Sequence, residues 1–162
     1  MFSVEHLRLA REVLERCRQQ RLALATAESC TGGLVSACLT AIPGSSAVFT
    51  TGFITYSNAA KVEQLGVASD LLQQQGAVSE SVARAMAEGA LSRSGADVAV
   101  GITGISGPGG GSAERPVGLV HMAAARRGRA TLAQRDVFSG DRHAVRMQTV
   151  LAALALLSRQ LD

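Results

Sequence analysis

The order of apolar runs along the chain predicts an α/β fold, a three-layer α/β/α sandwich around a mixed, mainly parallel five-stranded sheet. Three observations carry that expectation. Up to Thr103, short β-rich runs alternate with stretches of helical period, the pattern of parallel strands joined by helices. Val117 to Ala125 and Ala130 to Phe138 are separated only by an Arg, Arg, Gly, Arg turn, which implies an antiparallel hairpin. Helical patterns also open and close the chain, so both faces of the sheet can be covered.

The elements follow in order. Val4, Leu7, Ala10, Leu14 and Cys17 recur at helical spacing behind Ser3, a suitable cap, with Arg and Glu filling the opposite face. Leu22 to Ala27 reads as the first strand; Glu28 to Gly33 turn the chain, and Leu34 to Thr40 reads as helix. Pro43 to Ser46 form a turn, and Val48 to Tyr56 has the Val, Phe, Thr, Ile and Tyr content of a second strand. Ser57 or Asn58 can cap a short helix carrying Lys61. Val82, Ala83, Met86, Ala87 and Ala90 mark another helix, capped by Ser79 and ended by Gly95. Asp97 to Thr103 is apolar enough for a central strand and runs into a Gly-rich stretch from Gly104 to Gly111. After the hairpin, Gly140, Asp141 and Arg142 precede a last helix built on Val145, Val150, Leu154 and Leu157.

Composition narrows the function. A chain of 162 residues, 47% hydrophobic and 18% charged, fits one globular domain over 1–162 and excludes disorder and fibrous repeats. Its formal charge of +3 is small, its arginines are scattered from Arg8 to Arg159, and its five aromatic residues supply little base stacking, so no nucleic-acid partner is expected. Arg126, Arg127 and Arg129 read as a solvated hairpin tip. The longest apolar run, Val150 to Leu157, is far short of a membrane span, and no membrane partner is expected. Cys17, Cys30 and Cys38 form no Cys-x-x-Cys pair, which argues against a disulfide framework or zinc site and for a reducing, cytoplasmic setting. No metal and no cofactor is expected, and the apolar helix faces leave room for a homo-oligomer.

If the first three strands run parallel, the turns at Ser29 to Gly33, Tyr56 to Lys61 and Thr103 to Gly111 open on one edge, where α/β sheets gather ligands. Ser29 lies where a strand turns into a helix; it is a helix cap or a nucleophile served by helix amides. Ala27 and Thr31 stand where a Gly-x-Ser-x-Gly elbow needs glycine, and no Gly-Lys-Ser/Thr phosphate loop follows. Candidate bases for a serine are His121, His143 and Lys61. His121 is mid-strand in an apolar run, and His143 sits at a helix start. Lys61 is the only lysine among 16 basic residues and lies on the predicted edge. To act near neutral pH it must fall about three units from ~10.4, a cost of roughly 4 kcal/mol that burial and nearby positive charge can supply. Cys30 with a histidine base is a further option. The Gly-rich stretch offers amides to a phosphate or carboxylate, with Thr103 and Ser106 adding hydroxyls and Arg142 a guanidinium fork. A nucleotide-binding module without catalysis would use the same loop.

Taken together, Ala27-Glu28-Ser29-Cys30-Thr31-Gly32-Gly33, Pro43-Gly44-Ser45-Ser46, Tyr56-Ser57-Asn58 with Lys61, Thr103-Gly104-Ile105-Ser106-Gly107-Pro108, Pro116-Val117-Gly118 and Gly140-Asp141-Arg142 resemble the C-terminal domain family of CinA-type proteins, the nicotinamide-nucleotide amidases. The resemblance covers nearly the whole chain. It implies metal-free hydrolysis of the carboxamide of nicotinamide mononucleotide to nicotinate mononucleotide and ammonia, in pyridine nucleotide salvage. By the same resemblance Ser29 is the nucleophile and Lys61 the base, with Thr31 and Tyr56 beside them in the catalytic group. Gly32, Gly33, Asn58, Thr103, Gly104, Ser106, Gly107 and Arg142 are then expected to bind substrate, Arg142 at its phosphate. Two departures stand out. Arg115 replaces the lysine the family often carries before Pro-Val-Gly, and the N-terminal domain fused to many members is absent, which implies a stand-alone amidase.

Overall fold

Ser3 caps the first helix as expected, and the computed structural model, which describes residues 1–162, shows how. The Ser3 hydroxyl accepts from the amide of His6, while the His6 imidazole accepts from the Ser3 amide, so α1 (Val4–Gln19) opens with a reciprocal cap in which His stands in for the usual Glu or Gln. The chain then builds β1 (Leu24–Glu28), α2 (Leu34–Thr40), β2 (Phe49–Ile54), α3 (Asn58–Leu65), α4 (Ser69–Gln75), α5 (Glu80–Ser94), β3 (Val98–Gly104), β4 (Leu119–Arg126), β5 (Leu132–Val137) and α6 (Arg142–Gln160). Ser57, rather than Asn58, caps α3 by accepting from the Ala60 amide, and Ser79 caps α5 through Val82.

The five strands lie in the order β2-β1-β3-β4-β5. β1 pairs in parallel with both β2 and β3, whereas β4 opposes β3 and β5 opposes β4. Only β4 therefore runs against the other strands, and the mixed, mainly parallel sheet is as predicted. Burial follows position: every residue of β1 is buried, whereas the edge strand β2 alternates between half-buried and exposed.

Helices cover both faces. The larger core joins residues of α1, α2 and α6, such as Val13, Leu39 and Leu154, to Leu24, Val98, Val100 and Met122 of the sheet. The second core sets Leu65, Leu72, Met86 and Ala90 of α3, α4 and α5 against Ala25, Ala27, Ala99 and Ala123. Small residues let α5 lie close. A Cβ at Gly101 of β3 would meet the Ala83 carbonyl oxygen at 2.5 Å and the Ala87 nitrogen at 2.6 Å.

Two expectations change here. The connection from α3 to α5 holds an additional helix, α4, whose single buried residue Leu72 carried too little periodic signal to be read from sequence. The basic hairpin tip is not simply solvated. Arg126 donates to the carbonyls of Gln160 and Leu161 at the end of α6, and Arg127 donates to those of Leu91 and Ala96 around the end of α5. Both guanidinium groups thus satisfy helix C-termini, where cations are favoured.

Topology also places the site. From β1 the chain leaves through α2 towards β2 at one edge, and from β3 it leaves towards β4 on the other side. The carboxyl ends of β1 and β3 therefore flank the point where connections diverge, the usual place for a ligand crevice.

Candidate active site

β1 ends at Glu28, and this residue shapes the turn that follows. Its fully buried carboxylate accepts from the amides of Gly33 and Val35 at 3.0 Å each and of Ser36 at 2.8 Å, and from the Ser36 hydroxyl at 2.7 Å. A carboxylate thus occupies the start of α2, and residues 29–33 are folded out as a turn. Ser29 is not the helix cap; that position is Gly33, in the left-handed region at φ 98°.

Beneath this turn lies a cavity of about 290 Å³ at the carboxyl ends of β1, β2 and β3. Nine of the twelve site residues expected from sequence line it: Ser29, Tyr56, Asn58, Lys61, Thr103, Gly104, Ser106, Gly107 and Arg142. Thr31, Gly32 and Gly33 do not. The Gly33 amide is engaged by Glu28 and the Gly32 amide by the Ser29 carbonyl, so neither glycine is placed to serve an anion in the cavity. Thr31 is fully buried with its hydroxyl unpaired. Cys30, Ala77, Val78, Ile105, Gly109 and Gly110 complete the lining. Ala77 and Val78 follow α4, in a stretch whose apolar residues carry no chemical signal.

Lys61 is the centre of the geometry. Its side chain is 1% exposed, and Nζ lies 3.1 Å from Ser29 Oγ, 2.9 Å from the Thr55 carbonyl oxygen and 3.5 Å from that of Tyr56. The carbonyls can only accept. A neutral amine satisfies both with its two N–H groups, which leaves its lone pair for the Ser29 hydroxyl proton. Burial holds the Lys61 amine below the ordinary lysine value, opposed only by the Cys30 thiol. Desolvation alone supplies the shift, where a neighbouring positive charge was also expected.

The other candidate bases stand elsewhere. His143 is exposed, and neither it nor His121 lines the cavity. Burial, followed by Arg135, pushes His121 below its ordinary value. Cys30 is an unsuitable nucleophile: burial raises its thiol to about 11, and no histidine lines the cavity beside it.

At the rim, Arg142, the first residue of α6, donates to the Gly107 carbonyl at 2.9 Å and to the Tyr56 hydroxyl at 2.8 Å. It forms no ion pair within the protein, so its charge stays available to an anionic ligand. Thr103 is 1% exposed and donates to the Ala77 carbonyl at 2.8 Å. No group of three His, Cys, Asp or Glu side chains is gathered to hold a metal, and no helix is long and apolar enough to cross a membrane. A serine hydroxyl facing a desolvated amine, with a guanidinium at the rim, can perform nucleophilic acyl transfer on a small anionic substrate.

Comparison with known proteins identifies the family. The profile described as the CinA C-terminal domain matches residues 6–161. Nicotinamide-nucleotide amidohydrolase PncC of Escherichia coli strain K12 is 48% identical over 160 residues, covering 99% of this chain and 97% of that protein. The protein of the same name from Enterobacter agglomerans is 54% identical, covering 83% of this chain and 82% of its own length. Other relatives are longer: the chain spans 35% of a putative competence-damage inducible protein of Symbiobacterium thermophilum, at 54% identity, and 36% of a CinA-like protein of Akkermansia muciniphila, at 51%. Among solved structures, competence/damage inducible protein CihA from Agrobacterium tumefaciens superposes with a TM-score of 0.96 at 47% identity, covering 99% of this chain and 98% of that one. With the profile spanning nearly its whole length, this chain belongs to the CinA C-terminal domain family.

Proposed function

We propose that this chain is an amidohydrolase that converts nicotinamide mononucleotide and water into nicotinate mononucleotide and ammonia, with Ser29 as nucleophile and Lys61 as its base. The observation that carries the chemistry is the 3.1 Å contact between a buried lysine amine and a serine hydroxyl in the cavity. The substrate is taken from the names of the full-length relatives in Escherichia coli and Enterobacter agglomerans.

In this reading Ser29 Oγ attacks the carboxamide carbon while its proton passes to Lys61 Nζ. Collapse of the tetrahedral intermediate breaks the C–N bond, and the amide nitrogen takes that proton and leaves as ammonia. Water then attacks the resulting ester, gives a proton to Lys61, and releases the nicotinate as Ser29 Oγ recovers it. Among the amides of the nucleophile turn, that of Cys30, which lines the cavity, has no backbone or carboxylate acceptor and is the candidate oxyanion donor, in place of Gly32 and Gly33. Arg142 meets the phosphate; Tyr56 and Asn58 border the amide, and Thr103, Gly104, Ser106 and Gly107 form the nucleotide wall.

The test is ammonia and nicotinate mononucleotide formation in the presence of chelator, comparing wild type with Ser29→Ala, Lys61→Ala and Cys30→Ala. Turnover is expected in wild type and Cys30→Ala and lost in the other two. Full turnover by Ser29→Ala would overturn the mechanism. Saturable binding by folded wild type without ammonia release would make the chain a nucleotide-binding module instead.

A further inference from the structure

We infer that Arg146 is a positioning residue for the nucleophile, holding through its carbonyls the Ser29-bearing turn that Glu28 holds through its amides. Arg146 lies one helical turn after Arg142 on α6 and reaches the other way. Its Nε donates to the Cys30 carbonyl at 3.2 Å and its Nη2 to the Thr31 carbonyl at 2.9 Å. For the Cys30 carbonyl this is the sole donor in the protein; the Thr31 carbonyl has one other, the Leu34 amide. Arg146 has no carboxylate within ion-pair distance, so these two peptide oxygens receive its charge undivided.

The arrangement is a charge pair relayed through backbone. Glu28 accepts from amides at the far end of the turn, and Arg146 donates to carbonyls at its near end, so the turn is held by a buried anion and by a cation. Ser29 itself is anchored by its amide on the Ile102 carbonyl and its carbonyl on the Gly32 amide, so the arginine fixes the two peptides that follow it and with them the orientation of the turn. Space at the contact is tight: a Cβ on Gly32, whose φ is +58°, would meet Arg146 Nη2 at 3.3 Å. The turn and the guanidinium are thus fitted to one another rather than joined by a loose surface contact.

This inference rests on the serine reading above, and its test separates the two. Steady-state kinetics with nicotinamide mononucleotide would compare wild type, Ser29→Ala, Arg146→Lys and Arg146→Ala, the last with and without ethylguanidinium. Arg146→Ala is expected to lose about 100-fold in kcat, the scale of a small misplacement of a reacting group, with KM changed little. Ethylguanidinium should restore at least about tenfold of that loss, since it replaces the two-pronged donor that the variant lacks. Arg146→Lys should recover less, because one amine matches the two carbonyls poorly. A change in KM with kcat intact, or a kcat loss that ethylguanidinium does not touch, would overturn the positioning role. Full activity in Arg146→Ala alongside an inactive Ser29→Ala would sink this inference alone, whereas full activity in Ser29→Ala would sink the serine reading itself.

Discussion

Lys61 Nζ stands 3.1 Å from Ser29 Oγ, although 32 residues separate them in the chain. The parallel pairing of β1 with β2 creates this contact. Ser29 follows the end of β1, Lys61 lies in the first turn of α3 beyond β2, and the two strand ends are in register at Glu28 and Ile54. Because the amine's other partners are carbonyl oxygens, replacing it should remove the base without another group taking its place. Lys61→Ala is expected to lower kcat by about 10²- to 10⁴-fold, and Lys61→Arg to do no better, since a guanidinium stays protonated. Single-turnover ammonia release checks both.

The pH profile should carry the mark of burial. The proposed base would work only when neutral, so kcat/KM should climb as pH rises through the Lys61 pKa, which desolvation sets below 10.5, and fall away beneath it. Stability moves with it. The folded amine binds a proton less readily than the unfolded one, so lowering pH from 10.5 towards the folded value destabilises the fold, and the loss levels off once both states are charged. Lys61→Met removes this term. Chemical denaturation across pH should show the wild type losing ground to Lys61→Met over that window, and a pH-independent difference would refute the assignment.

Arg142 offers a test of which end of the substrate it meets. Arg142→Gln should raise KM for the mononucleotide about tenfold or more, the usual loss for a charge-assisted hydrogen bond, while leaving that for the corresponding nucleoside unchanged. Equal effects on the two substrates would place the phosphate elsewhere.

Glu28→Gln keeps the size of the side chain but sets an amide NH2 group among donors that now meet a carboxylate. A loss of about 2 kcal/mol is expected in urea unfolding, together with slower turnover, because the same hydrogen bonds fold out the turn that holds Ser29.

Gly101→Ala probes the fit of α5 on the sheet. Its new methyl group would be driven against the Ala83 and Ala87 backbone, and overpacking of this kind costs about 1–3 kcal/mol. Thermal unfolding should register that loss.

The architecture was legible because its signals are local and repeated. The Ser3 and Ser79 caps, the apolar strand at Val98–Gly104 and the basic hairpin turn each declare themselves within a few residues. The cavity was legible for a topological reason: strand ends that share a direction bring their loops together, and nine expected residues meet there. What stayed hidden depends on where side chains reach. Sequence reads Glu28 only as the start of a turn, yet its carboxylate takes the amide that had been expected to serve an anion at Gly33. Arg146 gave one faint signal, its four-residue spacing from Arg142, but nothing in a helical arginine tells which carbonyls it will meet. Arg126 and Arg127 likewise looked like solvated charge until the ends of α5 and α6 came to rest beside them.

Lys61, buried against Ser29, is also the chain's only lysine. Protein made with isotopically labelled lysine would therefore carry one ε-amine resonance, and that resonance would belong to the proposed base. Its titration, its exchange with solvent and its response to bound nucleotide could be followed without assigning any other signal. A composition that elsewhere prefers arginine has turned the least accessible cation into the easiest one to observe.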